Sequence, residues 1–299
     1  MSDHHDIDFL GIGAQKAATS WLWRNLKRHP GVWMPPRKEL HYFDRSLEYP
    51  SPSHIAADSL WQRLVGRAPH ERRGRALLRR ELFEAVRAGR WHDARWTTRY
   101  FLGQPSDAWY RSLFASGRGR LRGEITPSYS ILDAKDVARV RELFPDLRVI
   151  YVLRNPIDRA WSHVRFAWTI GALRDINDVD EVAAFVASPM QALRSDYLRT
   201  LSIWRGCYPE RQIHVGFYDE IVSEPDRALA AVLEFLGLPP LPAGVATLTD
   251  KVNPSRAVDM PPAIRQLLER AYASQIEELA GMFGGWCEAW RRGLHADRA

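Results

Sequence analysis

Residues Gly11-Ile12-Gly13-Ala14-Gln15-Lys16-Ala17-Ala18-Thr19-Ser20-Trp21 combine a glycine-flanked turn, one lysine and two adjacent hydroxyls. A turn that feeds a helix aims several unpaired backbone N–H groups at one point, and the helix dipole adds positive potential there. With Lys16 as a mobile cation and Thr19 and Ser20 as donors, the chemistry is that of a phosphate cradle. The spacing is not that of a Walker A loop, in which the lysine adjoins the hydroxyl residue. Here Lys16 precedes the two hydroxyls by three and four positions, which disfavours a metal-chelating nucleotide kinase. A plain glycine turn with a surface lysine would share part of the pattern. A second candidate is Arg154, with Ser162 eight residues on. A guanidinium and a hydroxyl just beyond a strand end suit a second phosphate; the ordinary alternative is a helix entry with Asn155 as its cap.

Both candidates need elements to hold them. Asp6 to Gly13 reads as a short buried strand, and Ala17 to Arg28 as a helix stopped by His29-Pro30-Gly31. Leu147 to Leu153 is a β-branched apolar strand, turned by Arg154-Asn155-Pro156 into a helix over about 157–168, with Ser162 about one turn in. Gln212 to Phe217 is a third strand, followed by a helix containing Ala228 to Leu236; Pro261 to Arg292 has helical periodicity. Short apolar strands alternating with helices predict an α/β fold, a P-loop-like central parallel sheet flanked by helices. Residues 44–120, rich in Trp and Arg, read as a helical insertion or lid. No linker isolates them, so residues 1–299 are expected to form a single domain.

Composition narrows the classes. The 299 residues are 45% hydrophobic and 26% charged, an ordinary globular balance. No apolar run approaches the roughly 18 residues of a membrane span. The polar, acidic start is not a secretory signal, and Cys207 and Cys287 lie far apart, so a reducing, cytoplasmic setting is the default. The net charge is +6, with 37 arginines and only five lysines: Lys16, Lys27, Lys38, Lys135 and Lys251. Residues 63–99 alone carry 11 Arg against Glu71, Glu81, Glu84 and Asp93, a net of +7. That segment is either a solvated helical face or a basic surface near an anionic ligand. No nucleic-acid motif accompanies it, so nucleic acid is not expected as a partner. Oligomeric state is not legible.

Two phosphate sites at two strand ends bring a family into view. The sequence resembles the sulfotransferases that use 3′-phosphoadenosine 5′-phosphosulfate (PAPS). Gln15 to Leu22 is similar to their 5′-phosphosulfate loop, and Tyr151 to Ser162 to their 3′-phosphate segment. Lys38-Glu39-Leu40-His41-Tyr42-Phe43 and Thr126-Pro127-Ser128-Tyr129 resemble segments of the branch that contains glycan O- and N-sulfotransferases and bacterial relatives. The order is consistent over most of the chain, with 44–120 the least matched.

The resemblance implies sulfuryl transfer to a hydroxyl of a small-molecule, lipid or glycoside acceptor, with 3′-phosphoadenosine 5′-phosphate (PAP) as product and no metal. Glu39 would be the base, with His41 as alternative or orienting partner. Lys16 and the backbone from Ala17 through Ala18, Thr19 and Ser20 to Trp21 would hold the 5′-phosphosulfate. Arg154 and Ser162 would hold the 3′-phosphate, and Lys251 and Arg256 would lie in a basic loop over the nucleotide. Two departures stand out. Ala17-Ala18 replaces the family's usual glycines, which is tolerable if both are already helical. Ile125 stands where glycan enzymes often have lysine, which argues against a heparin-like acceptor. The competing readings are an ATP-dependent kinase, which would need a Walker A loop and a magnesium-holding Asp, and a nucleotide-binding protein without catalysis.

Overall fold

The computed structural model describes residues 7–50, 53–241 and 258–296. The central strand is β1 (Phe9–Gly13), followed by α1 (Thr19–Arg28) and a two-residue strand β2 (Val32–Trp33). Four helices come next: α2 (Leu60–Val65), α3 (Pro69–Arg87), α4 (Trp91–Leu102) and α5 (Asp107–Ser112). Then follow β3 (Leu121–Ile125), a 3-10 turn over Pro127–Ile131, α6 (Ala134–Leu143), β4 (Arg148–Leu153) and α7 (Pro156–Thr169). The chain continues through α8 (Val179–Ala187), α9 (Pro189–Ser195), α10 (Tyr197–Cys207), β5 (Ile213–Phe217), α11 (Tyr218–Ser223) and α12 (Pro225–Phe235). It closes with α13 (Pro262–Phe283) and α14 (Gly285–Ala296).

The strands form one sheet in the order β2-β3-β1-β4-β5, and every pairing is parallel. Helices cover both faces, so β1 and most of β4 are buried and read as continuous apolar runs. From β1 the chain turns first toward β2 and β3, and later toward β4 and β5 on the other side. The C-terminal ends of β1 and β4 therefore flank the point where strand order reverses, where such sheets bind ligands.

Close packing explains one glycine of the first motif. A Cβ at Gly11 would lie 2.7 Å from a side-chain carbon of Ile125 on β3. Gly11 thus serves strand packing, and Ile125, fully buried, belongs to the same contact. Strands β2 and β3 were not legible as alternating patterns; β2 is two residues long and β3 is Leu-Arg-Gly-Glu-Ile.

Of the Trp/Arg-rich 44–120 expected to be helical, most of 60–112 is, whereas the described part of 44–59 is loop, and the tryptophans divide. Trp96 and Trp109 are core residues whose indole N–H groups donate to Leu113 O (2.8 Å) and Arg99 O (2.9 Å); Trp61 and Trp91 are exposed. One arginine of the basic stretch is structural: Arg63 is buried and donates to the carbonyls of Phe101 and Gly103 at the C-terminal end of α4. Cys207 and Cys287 are both free thiols. Among the described residues no helix is long and apolar enough to cross a membrane.

Candidate active site

The loop between β1 and α1 presents its backbone to the sheet's C-terminal edge. Lys16 (φ 71°) and Ala18 (φ 57°) are left-handed, and Ala18 occupies the N-cap with no side-chain cap on the helix amides. The helix expected from Ala17 begins only at Thr19, so neither alanine is helical: Ala17 lies in the loop and Ala18 turns the chain into α1. With no side-chain cap, the first-turn N–H groups of Thr19 and Ser20 stand at a helix end suited to an anion. Trp21 contributes only backbone there, since its ring is buried.

Arg154 follows β4 directly. Its Nη1 donates to the Lys16 carbonyl (3.0 Å), its guanidinium stacks 4.2 Å from the Tyr218 ring centre, and Tyr197 Oη holds its carbonyl at 3.0 Å. Arg154 Nε is buried without a hydrogen-bond partner. Asn155 caps α7 through the Ile157 amide (2.9 Å), with Pro156 in the first turn. Ser162 lies nearly two turns into α7, deeper than the one turn expected, because the helix begins at Pro156. It is buried, and helical spacing places it on one face with Arg165 and Phe166. Lys16 Nζ meets that face, 4.7 Å above the Phe166 ring. Burial, and then the charges of Arg154, Arg165 and Lys38, push the Lys16 pKa down. Lys16 thus lies within electrostatic reach of three further cations, of which Arg154 bonds the Lys16 carbonyl.

Lys38 joins this centre to the next. Its ammonium donates to Ser20 Oγ (3.1 Å), Thr19 Oγ1 (3.3 Å) and Glu39 Oε1 (2.9 Å). Beyond Glu39 runs a chain of alternating charge: Glu39 Oε2 is 3.7 Å from His41 Nε2, and His41 Nδ1 is 2.8 Å from Asp44 Oδ2. Asp44 is buried, and nothing in the sequence singled it out, although its place three residues after His41 was the available signal. Burial opposes the charge on His41, but Asp44 and Glu39 override it and raise the pKa to about 10. Burial likewise disfavours an ionised Glu39, yet His41 and Lys38 hold its carboxyl far below the usual carboxylate range. At neutral pH the pair is carboxylate and imidazolium.

Glu39 (φ 66°) and His41 (φ 55°) are left-handed as well. Among the described residues, all non-glycine residues of positive φ lie in the Lys16–Ala18 and Glu39–His41 loops. Such conformations cost roughly 1–2 kcal/mol per residue and persist where surrounding contacts enforce them. The Thr126-Pro127-Ser128-Tyr129 motif supplies those contacts: Leu40 N donates to Thr126 Oγ1 (2.9 Å) and Tyr42 N to Tyr129 Oη (3.1 Å).

A cleft of about 460 Å³ opens beside Lys38, between its loop and the α3–α4 pair. Lys27, Arg37, Lys38, Arg73, Arg80 and Arg90 line it. Its carboxylates are engaged: Glu81 pairs with Arg37, Glu84 with Arg80 and Asp93 with Arg90. Lys251 and Arg256 fall outside the described residues. The structure therefore brings Lys16, the 17–21 backbone, Arg154, Glu39 and His41 together, with buried Ser162 on the helix face that Lys16 contacts.

The sequence model of the Sulfotransferase family matches residues 9–242, from β1 to beyond α12. The chain belongs to this family. Among curated sulfotransferases it is similar to human heparan sulfate glucosamine 3-O-sulfotransferase 3B1, 29% identical over 139 residues, covering 44% of this chain and 35% of that protein. Human heparan sulfate glucosamine 3-O-sulfotransferase 6 is 30% identical over 138 residues, covering 44% and 40% respectively. The match thus spans between a third and two fifths of the length of these relatives. The crystal structure of a sulfotransferase from Alicyclobacillus acidocaldarius superposes with a TM-score of 0.64 at 21% identity, over 96% of this chain and 99% of that one. The sulfotransferase domain from the curacin biosynthetic pathway gives 0.52 at 16% identity, over 89% and 96%. These structural likenesses establish the sulfotransferase fold.

Proposed function

We propose that the protein transfers the sulfuryl group of PAPS to an acceptor hydroxyl. The observation that carries this reading is the meeting of Lys16, Lys38 and Arg154 at the loop and uncapped start of α1, with an ionised carboxylate, Glu39, held beside them. A nucleotide such as PAPS, with about four negative charges near neutral pH, relieves the mutual repulsion of those cations. Arg154, with Ser162 on α7, takes the 3′-phosphate. Lys16 and the amides of Thr19 to Trp21 take the 5′-phosphate.

The step follows from the charges. Glu39 accepts the hydroxyl proton as the acceptor oxygen bonds to sulfur, and the bond from sulfur to the bridging phosphate oxygen breaks. PAP leaves with its new negative charge facing Lys16 and the α1 amides. His41, already an imidazolium, orients Glu39 through their contact and is not the base. The cleft beside Lys38 receives the acceptor. Its surplus positive charge favours a small-molecule, lipid or glycoside acceptor that carries an anionic group. Ile125, buried against Gly11, offers no cation to a polysaccharide.

Calorimetric titration with PAP, beside ADP and ATP without magnesium, tests the donor site. Tight binding of PAP alone, lost in Arg154→Ala, is expected. Equal affinity for ADP would overturn the reading.

A further inference from the structure

Glu124, on β3, is 1% exposed, and its carboxylate is met by neutral donors. Tyr110 Oη (2.6 Å) and Tyr129 Oη (2.8 Å) donate to Oε1; Thr126 Oγ1 (2.6 Å) and the Leu40 amide (3.1 Å) donate to Oε2. Burying a carboxylate without a cationic partner costs several kcal/mol before hydrogen bonds offset it. An apolar residue would fill this place at less cost, so the location of the carboxylate matters. It lies directly beneath the strained loop. Leu40 is the residue between Glu39 and His41, and Glu124 grips its amide. Through Tyr129 the same carboxylate reaches the amide of Tyr42, on the far side of His41. Tyr100 Oη fixes the Leu40 carbonyl at 2.8 Å.

We propose that Glu124 is a positioning residue for the transfer step, acting through the Leu40 backbone to hold Glu39 and His41 in the left-handed conformations that bring them into contact. The assignment rests on the sulfotransferase reading for the identity of the step, but the geometry it invokes does not. Only a carboxylate accepts from four donors at once. A glutamine replaces one acceptor oxygen by an NH₂ group, which must face either the two phenols or the Thr126–Leu40 pair. Facing the phenols, it leaves the Tyr129 O–H without an acceptor while that oxygen still receives the Tyr42 amide; facing the other pair, it meets the Leu40 N–H donor to donor, so either choice loosens one of the two amides that flank His41.

The test reads the loop directly. In protein labelled at histidine, the His41 imidazole is followed by NMR through a pH titration in wild type and in Glu124→Gln. The groups facing it are Glu39, Asp44 and the ring of His54, whose centre is 6.1 Å away. Wild-type His41 is expected to titrate near about 10. In Glu124→Gln it should drop by about one pH unit or more, as contact with Glu39 loosens. PAP affinity should stay within about twofold, while the rate of PAP release from PAPS falls about ten- to a hundredfold, the penalty for misplacing a reacting group by about an ångström. An unchanged His41 titration with unchanged turnover would overturn the proposal, as would loss of PAP binding by the variant alone. Failure of wild type to bind PAP would instead sink the sulfotransferase reading and leave the His41 result to decide the role of Glu124. Should Glu124→Gln not fold, Thr126→Val and Thr126→Ser provide the second route. The first should lower turnover and the His41 pKa, and the second should restore both; equal behaviour of the two would count against the proposal.

Discussion

At Ala18 an L-residue holds φ 57° and ψ 20° to start α1, a conformation that a glycine adopts freely. Replacing Ala18 by Gly removes the strain and adds unfolded-chain entropy, so a net gain of about 0.5–1 kcal/mol is expected by urea denaturation. A less stable variant would show that the methyl group packs more than it strains. Glu39 has the sharper chemical test. Glu39→Gln keeps the shape and removes the proton acceptor, so turnover should fall about 10²–10⁴-fold while PAP affinity persists. Turnover near the wild-type rate would take Glu39 out of the mechanism. The charge states also set a pH dependence. His41 has a pKa raised from 6.5 to about 10, so its stabilising contribution is complete below 6.5 and disappears as pH climbs through 10. Glu39, depressed below 4.5, contributes fully above that value and loses its contribution as pH falls. Melting temperature should therefore drop more between pH 6.5 and 10.5 in wild type than in His41→Asn. The lysine, the hydroxyls, the arginine and the Glu-x-His pair were legible as residue types. Asp44 was not, because a three-residue spacing from His41 within a loop fixes no geometry until the fold turns the carboxylate toward the imidazole.

The elements differ in how openly they announce themselves. Strands β1 and β4 are buried on both faces and appear as unbroken apolar runs, and α12 ends just before the Gly237-Leu238-Pro239-Pro240 signal. Strand β3 was hidden, since its five residues include Arg122, Gly123 and the buried Glu124, which no hydrophobic pattern predicts. Yet β3 carries the platform on which the Lys38–Phe43 loop rests, so the part of the sheet least visible in the sequence supports the chemistry. Its contact with β1 is tight enough to test. Gly11→Ala sets a methyl group 2.7 Å from Ile125 and should destabilise the protein by about 1–3 kcal/mol. The double change Gly11→Ala with Ile125→Ala should cost less than the sum of the two single changes, because it removes the two γ carbons nearest the new methyl. Full additivity would mean that β1 and β3 separate rather than overpack.

Across the whole molecule the sheet order creates two neighbouring basic sites from distant parts of the chain. One set of cations comes from the loops after β1 and β4, at the strand-order reversal. The other lines the cleft from α1, the Lys38 loop and the α3–α4 pair, and Lys38 stands at the boundary of both. The +7 excess of residues 63–99 is thereby divided: Arg63 is spent on backbone carbonyls, whereas Arg73 and Arg80 face the cleft. A solvated helical face would leave acceptor charge without effect on catalysis. A functional cleft would not. For a hydroxylated carboxylic acid and its methyl ester, matched in every other atom, kcat/KM should favour the acid by about tenfold or more at low salt, mostly through KM. Screening at about 0.5 M salt should erode that preference, and Arg73→Glu should abolish it without altering PAP affinity, since Arg73 lies on α3 and outside the nucleotide centre. Equal use of acid and ester by wild type would return the arginines of α3 to the solvent and locate acceptor recognition elsewhere.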